Sequence, residues 1–354
     1  MTLAPIRVGI VGLGQIARAA HLDACARAAD VELAAICDRA PDLLADARRR
    51  YPDAVPYAEY DAMLGDPSVD AVIVATADQF HVALAARALG AGKHVFVEKP
   101  MGVAVEECEE LRSRAVACGQ VLQVGFMKRF DPAIQFGSDF IVRELGTILA
   151  MRAWYCDSTF RYTMTDNLQP SPLVSAAALR PDGDPKAKRS TYYLLAHGSH
   201  LVDTARYLAG EIEAVRARRL VHGDAHCWFV ETRMASGALG HLELTVPLRG
   251  DFEEGFRIYG EHGSVFGRVY LPWFHRASEV ECFSARDGVY RRPLGADAHT
   301  YRRQIEGFAG AICGSPGVGA DADDGVANIR ALTAIARSVE SDGWVEVSAV
   351  TGGP

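Results

Sequence analysis

The chain has 354 residues, 49% of them hydrophobic, a mean hydropathy of +0.02 and a formal net charge of −8, which is chain enough for two domains, each with its own core. The acidic balance argues against a nucleic-acid partner, and no apolar run reaches the ~20 residues that span a bilayer, so no membrane partner is expected. The start of the chain lacks a signal-peptide pattern, which places the protein in the cytoplasm; its eight cysteines, none in a zinc-like spacing, are then thiols and no metal site is expected.

The first element is an apolar strand over residues 6–11 that runs into the loop Gly12-Leu13-Gly14-Gln15-Ile16-Ala17. A helical pattern follows, and a second apolar strand, 31–37, ends on Asp38. This is the spacing of a dinucleotide-binding unit. Gly12 permits the tight strand-to-helix turn, and Gly14 lets the backbone approach a pyrophosphate at the positive end of the helix that Gln15 and Ile16 open. Asp38 stands where a carboxylate accepts hydrogen bonds from an adenosine ribose diol. It would repel a 2′-phosphate, so NAD is favoured over NADP, although the guanidinium of Arg39 beside it pulls the other way.

Strand and helix go on alternating, with strands at 69–76, 94–97 and 121–124 and helices at 80–91 and 105–118. The strands are continuous apolar runs, as in a buried parallel sheet, so residues 1–124 are predicted to form a doubly wound Rossmann domain with its ligand chemistry at the strand C-termini. Glu98-Lys99-Pro100 ends the strand 94–97 and projects Lys99 at that edge, where a bound nicotinamide would lie. A lysine there can hydrogen-bond a substrate hydroxyl and pass on its proton, helped by the positive charge of oxidised nicotinamide, which lowers its pKa. The alternative is a solvated lysine paired with Glu98.

Beyond Gly125 the rhythm changes. A helix is predicted over 131–145, and then polar and apolar residues alternate at 147–156, 212–221, 226–234 and 239–246. Leu242, Leu244 and Val246 point one way, and His241, Glu243 and Thr245 the other. With further strands at 255–261, 264–270 and 279–283, residues 125–354 are predicted to form an α/β domain on an open, largely antiparallel sheet with one packed face. Helices at 201–209, 301–311 and 325–339 are expected to cover that face. The polar face has three readings: solvated, pocket lining or subunit interface. Residues 158–192, with four prolines and the basic cluster Lys186, Lys188 and Arg189, read as a lid or a disordered segment. In His197-Gly198-Ser199-His200-Leu201-Val202-Asp203, His200 and Asp203 share a helix face, so the aspartate can fix the imidazole tautomer and the histidine can act as general base.

Taken together the segments resemble the family of glucose-fructose oxidoreductase, inositol dehydrogenase and related sugar dehydrogenases, the Gfo/Idh/MocA family. The resemblance rests on residues 9–14, on Ala75-Thr76 with His81 downstream, on Gly92-Lys93-His94-Val95-Phe96-Val97-Glu98-Lys99-Pro100, on Gly125-Phe126-Met127-Lys128-Arg129-Phe130 and on residues 198–203. It implies cofactor contacts from Thr76, His81, Glu98 and Lys99, a lysine beside nicotinamide and substrate at Lys99, a peptide bond after it that is commonly cis, and an acid/base histidine at His200. Inositol dehydrogenase-like members carry an aspartate four residues before that histidine; this chain has Ala196. His197, Tyr192, Tyr193 and Asp203 are the nearby groups that can stand in. Open sheets in the family often pair face to face, so a homodimer or homotetramer is expected.

The first functional reading is an NAD-dependent dehydrogenase acting on a secondary ring alcohol of a sugar, amino sugar or cyclitol, with Lys99, His200 and Asp203 as the catalytic set. A non-catalytic regulator that senses the dinucleotide and an NAD-dependent glycosidase are the alternatives. The long segment before His200, with Asp157 and Asp166 at the expected cleft entrance and an acidic chain overall, points to a larger cationic substrate such as a glycosylated aminocyclitol of an aminoglycoside type.

Overall fold

The computed structural model describes residues 4–158, 173–181, 183 and 187–354. The chain divides into two compact units, the first made of Met1–Met127, Gln169–Asp184 and His299–Val326, the second of Lys128–Leu168, Pro185–Ala298 and Ala327–Pro354. Among the described residues the strands form one sheet of six and one of nine.

The first sheet holds β1 (Ile6–Val11), β2 (Val31–Cys37), β3 (Val55–Tyr57), β4 (Ala71–Val74), β5 (His94–Val97) and β6 (Leu122–Val124) in the order β3-β2-β1-β4-β5-β6. Every pairing is parallel. The order reverses between β1 and β4, which is the switch point where such sheets open a crevice for ligand. β4 is buried along its whole length, the reason its sequence is apolar without alternation. Helices α1 (Leu22–Arg27), α2 (Pro41–Arg50), α3 (Tyr60–Leu64), α4 (His81–Gly90) and α5 (Val105–Cys118) connect the strands. The start of α5 is fixed by Glu107, whose Oε1 accepts the Ala104 N–H at 3.0 Å, and its end by Gly119 at φ 65°. β3 and α3, three and five residues long, are too short for periodicity to reveal.

In the second unit, α6 (Pro132–Arg143) is capped by Asp131, whose Oδ1 accepts the Ala133 N–H at 2.9 Å. Its sheet comprises β7 (Ile148–Ser158), β8 (Ile212–His222), β9 (Ala225–Met234), β10 (Leu239–Leu248), β11 (Glu253–Gly260), β12 (Gly263–Arg268), β13 (Glu279–Ser284), β14 (Val289–Arg291) and β15 (Trp344–Glu346). The order is β14-β13-β12-β11-β7-β10-β9-β8-β15, and only β7 and β10 run parallel. Leu242, Leu244 and Val246 are buried as their alternation requires. The packed face takes the helix Ser199–Ala209 against β7 and β10, and the helix Ala322–Ser341 through Ser338, whose Oγ accepts the Ala217 N–H at 2.7 Å.

One expectation fails. The helix Thr300–Ile312 does not cover the second sheet but packs on α1 in the first unit. Glu306 Oε1 accepts the Ala29 N–H at 3.1 Å, His299 Nε2 lies 3.3 Å from Asp23 Oδ2, and the rings of Phe308 and Phe96 meet edge to face at 5.9 Å. Its buried stripe Tyr301, Gln304, Ile305, Phe308 and Ala309 would serve against either sheet, and periodicity does not say which partner it meets. No helix among the described residues is long and apolar enough to cross a membrane.

Candidate active site

The first unit carries a cavity of about 640 Å³ at the C-terminal edge of its sheet. Gly12, Gly14, Gln15, Ile16, Asp38, Arg39 and Thr76 all line it. Gly12 sits at φ +89°, and a Cβ there would fall 2.8 Å from the Ala75 backbone, so the turn admits no side chain. A Cβ at Gly14, by contrast, would meet no protein atom within 4 Å. Bare backbone therefore faces open space at the start of the helix, which suits a pyrophosphate. Asp38 ties the loop together, Oδ2 accepting the Leu13 N–H at 2.7 Å and Oδ1 the Ala40 N–H at 2.8 Å. Each oxygen keeps lone-pair capacity for a ribose hydroxyl. The cradle fits a dinucleotide.

Among the described residues, Glu98, Lys99 and His81 are not in that lining; they gather past the end of β5. Glu98 is buried, with Oε1 at 2.8 Å from His21 Nε2 and Oε2 accepting the Lys99 N–H at 3.0 Å. Burial alone would push this carboxyl up, but the hydrogen bond and charge of His21, with Lys99 beside it, hold it below the ordinary glutamate value. A Cβ at Gly125 would come within 3.2 Å of Glu98, so that glycine makes room for it. His81 braces the same turn, its Nδ1 2.7 Å from Pro100 O and its Nε2 3.1 Å from Thr76 O. Lys99 is half-buried and its bond to Pro100 is cis. Sequence reading missed His21, which closes a π-helical turn, Ala17–His21, ahead of α1.

In the second unit another π-helical turn, Leu194–Gly198, leads into the helix Ser199–Ala209 and carries His197. His197 Nδ1 lies 3.2 Å from Asp157 Oδ2, near the end of β7. Asp157 is buried and engaged, not an open charge at a cleft entrance; Asp166 and Lys186 lie outside the described residues. His200 stacks on Tyr155 with ring centres 6.0 Å apart and planes 8° from parallel. On that tyrosine also rests Lys128, Nζ 4.6 Å from the ring centre and ion-paired with Glu254. Burial pushes Lys128 down and Glu254 up, against their mutual attraction. Asp203, expected to orient His200, accepts Arg129 in bidentate fashion, at 2.7 Å from Nη2 and 3.1 Å from Nε. Neither Tyr155 nor Lys128 was picked out from sequence as a site residue, although Lys128 stands in the 125–130 motif.

A glycine turn that opens on a cavity at the switch point of a parallel sheet, with Asp38 in its wall, defines a dinucleotide-binding Rossmann unit. Residues 6–126 match the model of the oxidoreductase family with NAD-binding Rossmann fold, Gfo/Idh/MocA, and residues 143–266 match a C-terminal domain of the same family. The chain belongs to this oxidoreductase family, whose members include sugar and cyclitol dehydrogenases. Inositol 2-dehydrogenase of Acidothermus cellulolyticus is 28% identical, over 95% of this chain and 93% of the relative. Myo-inositol 2-dehydrogenase of Thermotoga maritima is 27% identical, over 74% of this chain and 75% of its own. A levoglucosan dehydrogenase solved in complex with NADH superposes with a TM-score of 0.79 at 25% identity, covering 97% of this chain and 99% of that one.

Proposed function

We propose that the protein moves hydride between C4 of nicotinamide and a secondary ring alcohol of a sugar, amino sugar or cyclitol. The observation that carries this reading is the turn at the end of β5, where Glu98 meets His21 through one oxygen and accepts the Lys99 backbone N–H on the other, setting Lys99 at the sheet edge. Bound NAD supplies the hydride acceptor. Lys99 and His200 manage the hydroxyl proton, and Asp203 keeps the helix of His200 in place through Arg129. In the proposed division of labour residues 1–124 bind cofactor, while 125–354, apart from the segments that join the first unit, bind substrate and pair two or more copies through the polar sheet face around Arg152, Trp154, Glu243 and Arg257.

A sensor of dinucleotide has no use for a proton-handling lysine, which favours catalysis over the regulatory reading. The case for a larger cationic substrate, such as a glycosylated aminocyclitol, rests on the net charge of −8, because Asp157 is taken up by His197. The test is NADH absorbance with a panel headed by inositols and levoglucosan and extended to aminocyclitol glycosides at low and high salt. Turnover of a ring alcohol is expected. NAD binding with no turnover on any member would support the regulator, and released reducing sugar without net NADH the glycosidase.

A further inference from the structure

We propose that residues 173–181 form a strap over the adenosine end of the NAD site, so that the described part of the segment after β7 serves cofactor and not substrate. These residues belong to the first unit. Ser175 is buried, and its Oγ donates to Asp42 Oδ1 at 2.7 Å while accepting the Ala177 N–H at 3.1 Å. That hydrogen bond holds the Asp42 carboxyl below the usual carboxylate range. Asp42 lies in the first turn of α2, the helix that begins three residues after Asp38. The strap is thus fastened beside the ribose carboxylate.

Beyond the fastening, Ala178 and Leu179 enter the cavity wall together with Arg39, Leu43 and Arg87. Arg39 and Leu43 follow Asp38 in the chain, and Ser175 is fastened to Asp42 between them, so this part of the lining belongs to the Asp38 end. Pyrophosphate at Gly14 and ribose at Asp38 leave this part of the cavity for the base. Lys99, at the nicotinamide end, is not in the lining. Leu179 is 59% exposed, an apolar side chain standing open in a ligand cavity. A flat base with apolar faces would cover it, and removing that surface from water favours binding.

The inference rests on the NAD assignment of the first unit but not on the substrate. Full-length protein is titrated calorimetrically with NAD, ADP-ribose, AMP and nicotinamide mononucleotide. Leu179→Asp and Ser175→Ala are expected to raise Kd for the three adenosine ligands about tenfold and to leave nicotinamide mononucleotide unchanged. The ligand-free melting temperature of Leu179→Asp should not move, because that side chain is exposed. Unchanged adenosine affinities in both variants, or an equal loss for nicotinamide mononucleotide, would overturn the strap. Asp38→Ala in the same titrations separates the two levels: if it too leaves NAD binding unaltered, the cofactor site itself is misplaced and the strap falls with it.

Discussion

His21 and His197 hold matching places in the two units. Each is carried by a π-helical turn that runs straight into an α-helix, and each meets a carboxylate near the C-terminal end of a strand, Glu98 at 2.8 Å and Asp157 at 3.2 Å. Their surroundings differ. His21 is 0% exposed and lies edge-on to Phe96 and Tyr301, with Nδ1 unbonded, so the ring has one task, to hold Glu98. His197 sits among Tyr155, Tyr192 and Tyr193, with His200 on the next turn and Lys128 and Glu254 across Tyr155. The same backbone device fixes geometry where its neighbours are apolar. In the second unit it sets an imidazole among titratable groups.

The comparison breaks most visibly in stability. His21→Ala leaves the Glu98 carboxylate buried without its partner, and loss of one side of a buried pair costs about 3–5 kcal/mol; urea unfolding should show it, and a change near zero would mean that the first pair fixes nothing. Next, Lys99→Ala should lower kcat by at least about 100-fold while NAD affinity, measured by titration, stays put because the ribose and pyrophosphate contacts remain. A mutant that keeps most of its turnover would remove the reason to position this lysine.

Asp157→Asn sharpens the contrast. If the His197 pair supports the proton transfer proposed for Lys99 and His200, kcat should fall about tenfold and its dependence on pH should shift, with little change in the urea midpoint. Lost stability with an unaltered pH profile would make the second pair a copy of the first. The smallest effect is a pH dependence. The Glu98 pKa is depressed in the folded state, so its stabilisation is present above the unfolded value of about 4.3 and is lost as pH falls through the folded one. Glu98→Gln should therefore unfold more readily than the parent at pH 7, and the gap should close in acid; a gap independent of pH would refute the charge argument.

Where the physics is local, the sequence could be read. β5 and α5 lie at their predicted positions because a continuous apolar run and a helical period are properties of neighbouring residues. Gly12 and Asp38 were legible for the same reason, since turn, helix and acid follow each other within one supersecondary unit. The partners of the polar residues were not. Asp203 was matched to His200, three residues away, yet its bidentate partner is Arg129, which tertiary folding alone brings near. Asp157 meets His197 across forty residues, and Ser175 reaches back to Asp42. The π-helical turns escaped notice because one extra residue per turn leaves no compositional mark.

The helix Thr300–Ile312 gives the order of chain synthesis a consequence. All six strands of the first sheet have been made by Val124, but Tyr301, against His21, and Phe308, against Phe96, arrive from the far end of the chain. A ribosome-bound or proteolytic fragment ending near residue 124 would own a complete sheet and still lack the wall that keeps water from the Glu98 pair. Domains commonly fold as they emerge, N-terminal first. Here the nascent cofactor unit lacks the rings of Tyr301 and Phe308 against His21 and Phe96 until nearly the whole message has been read.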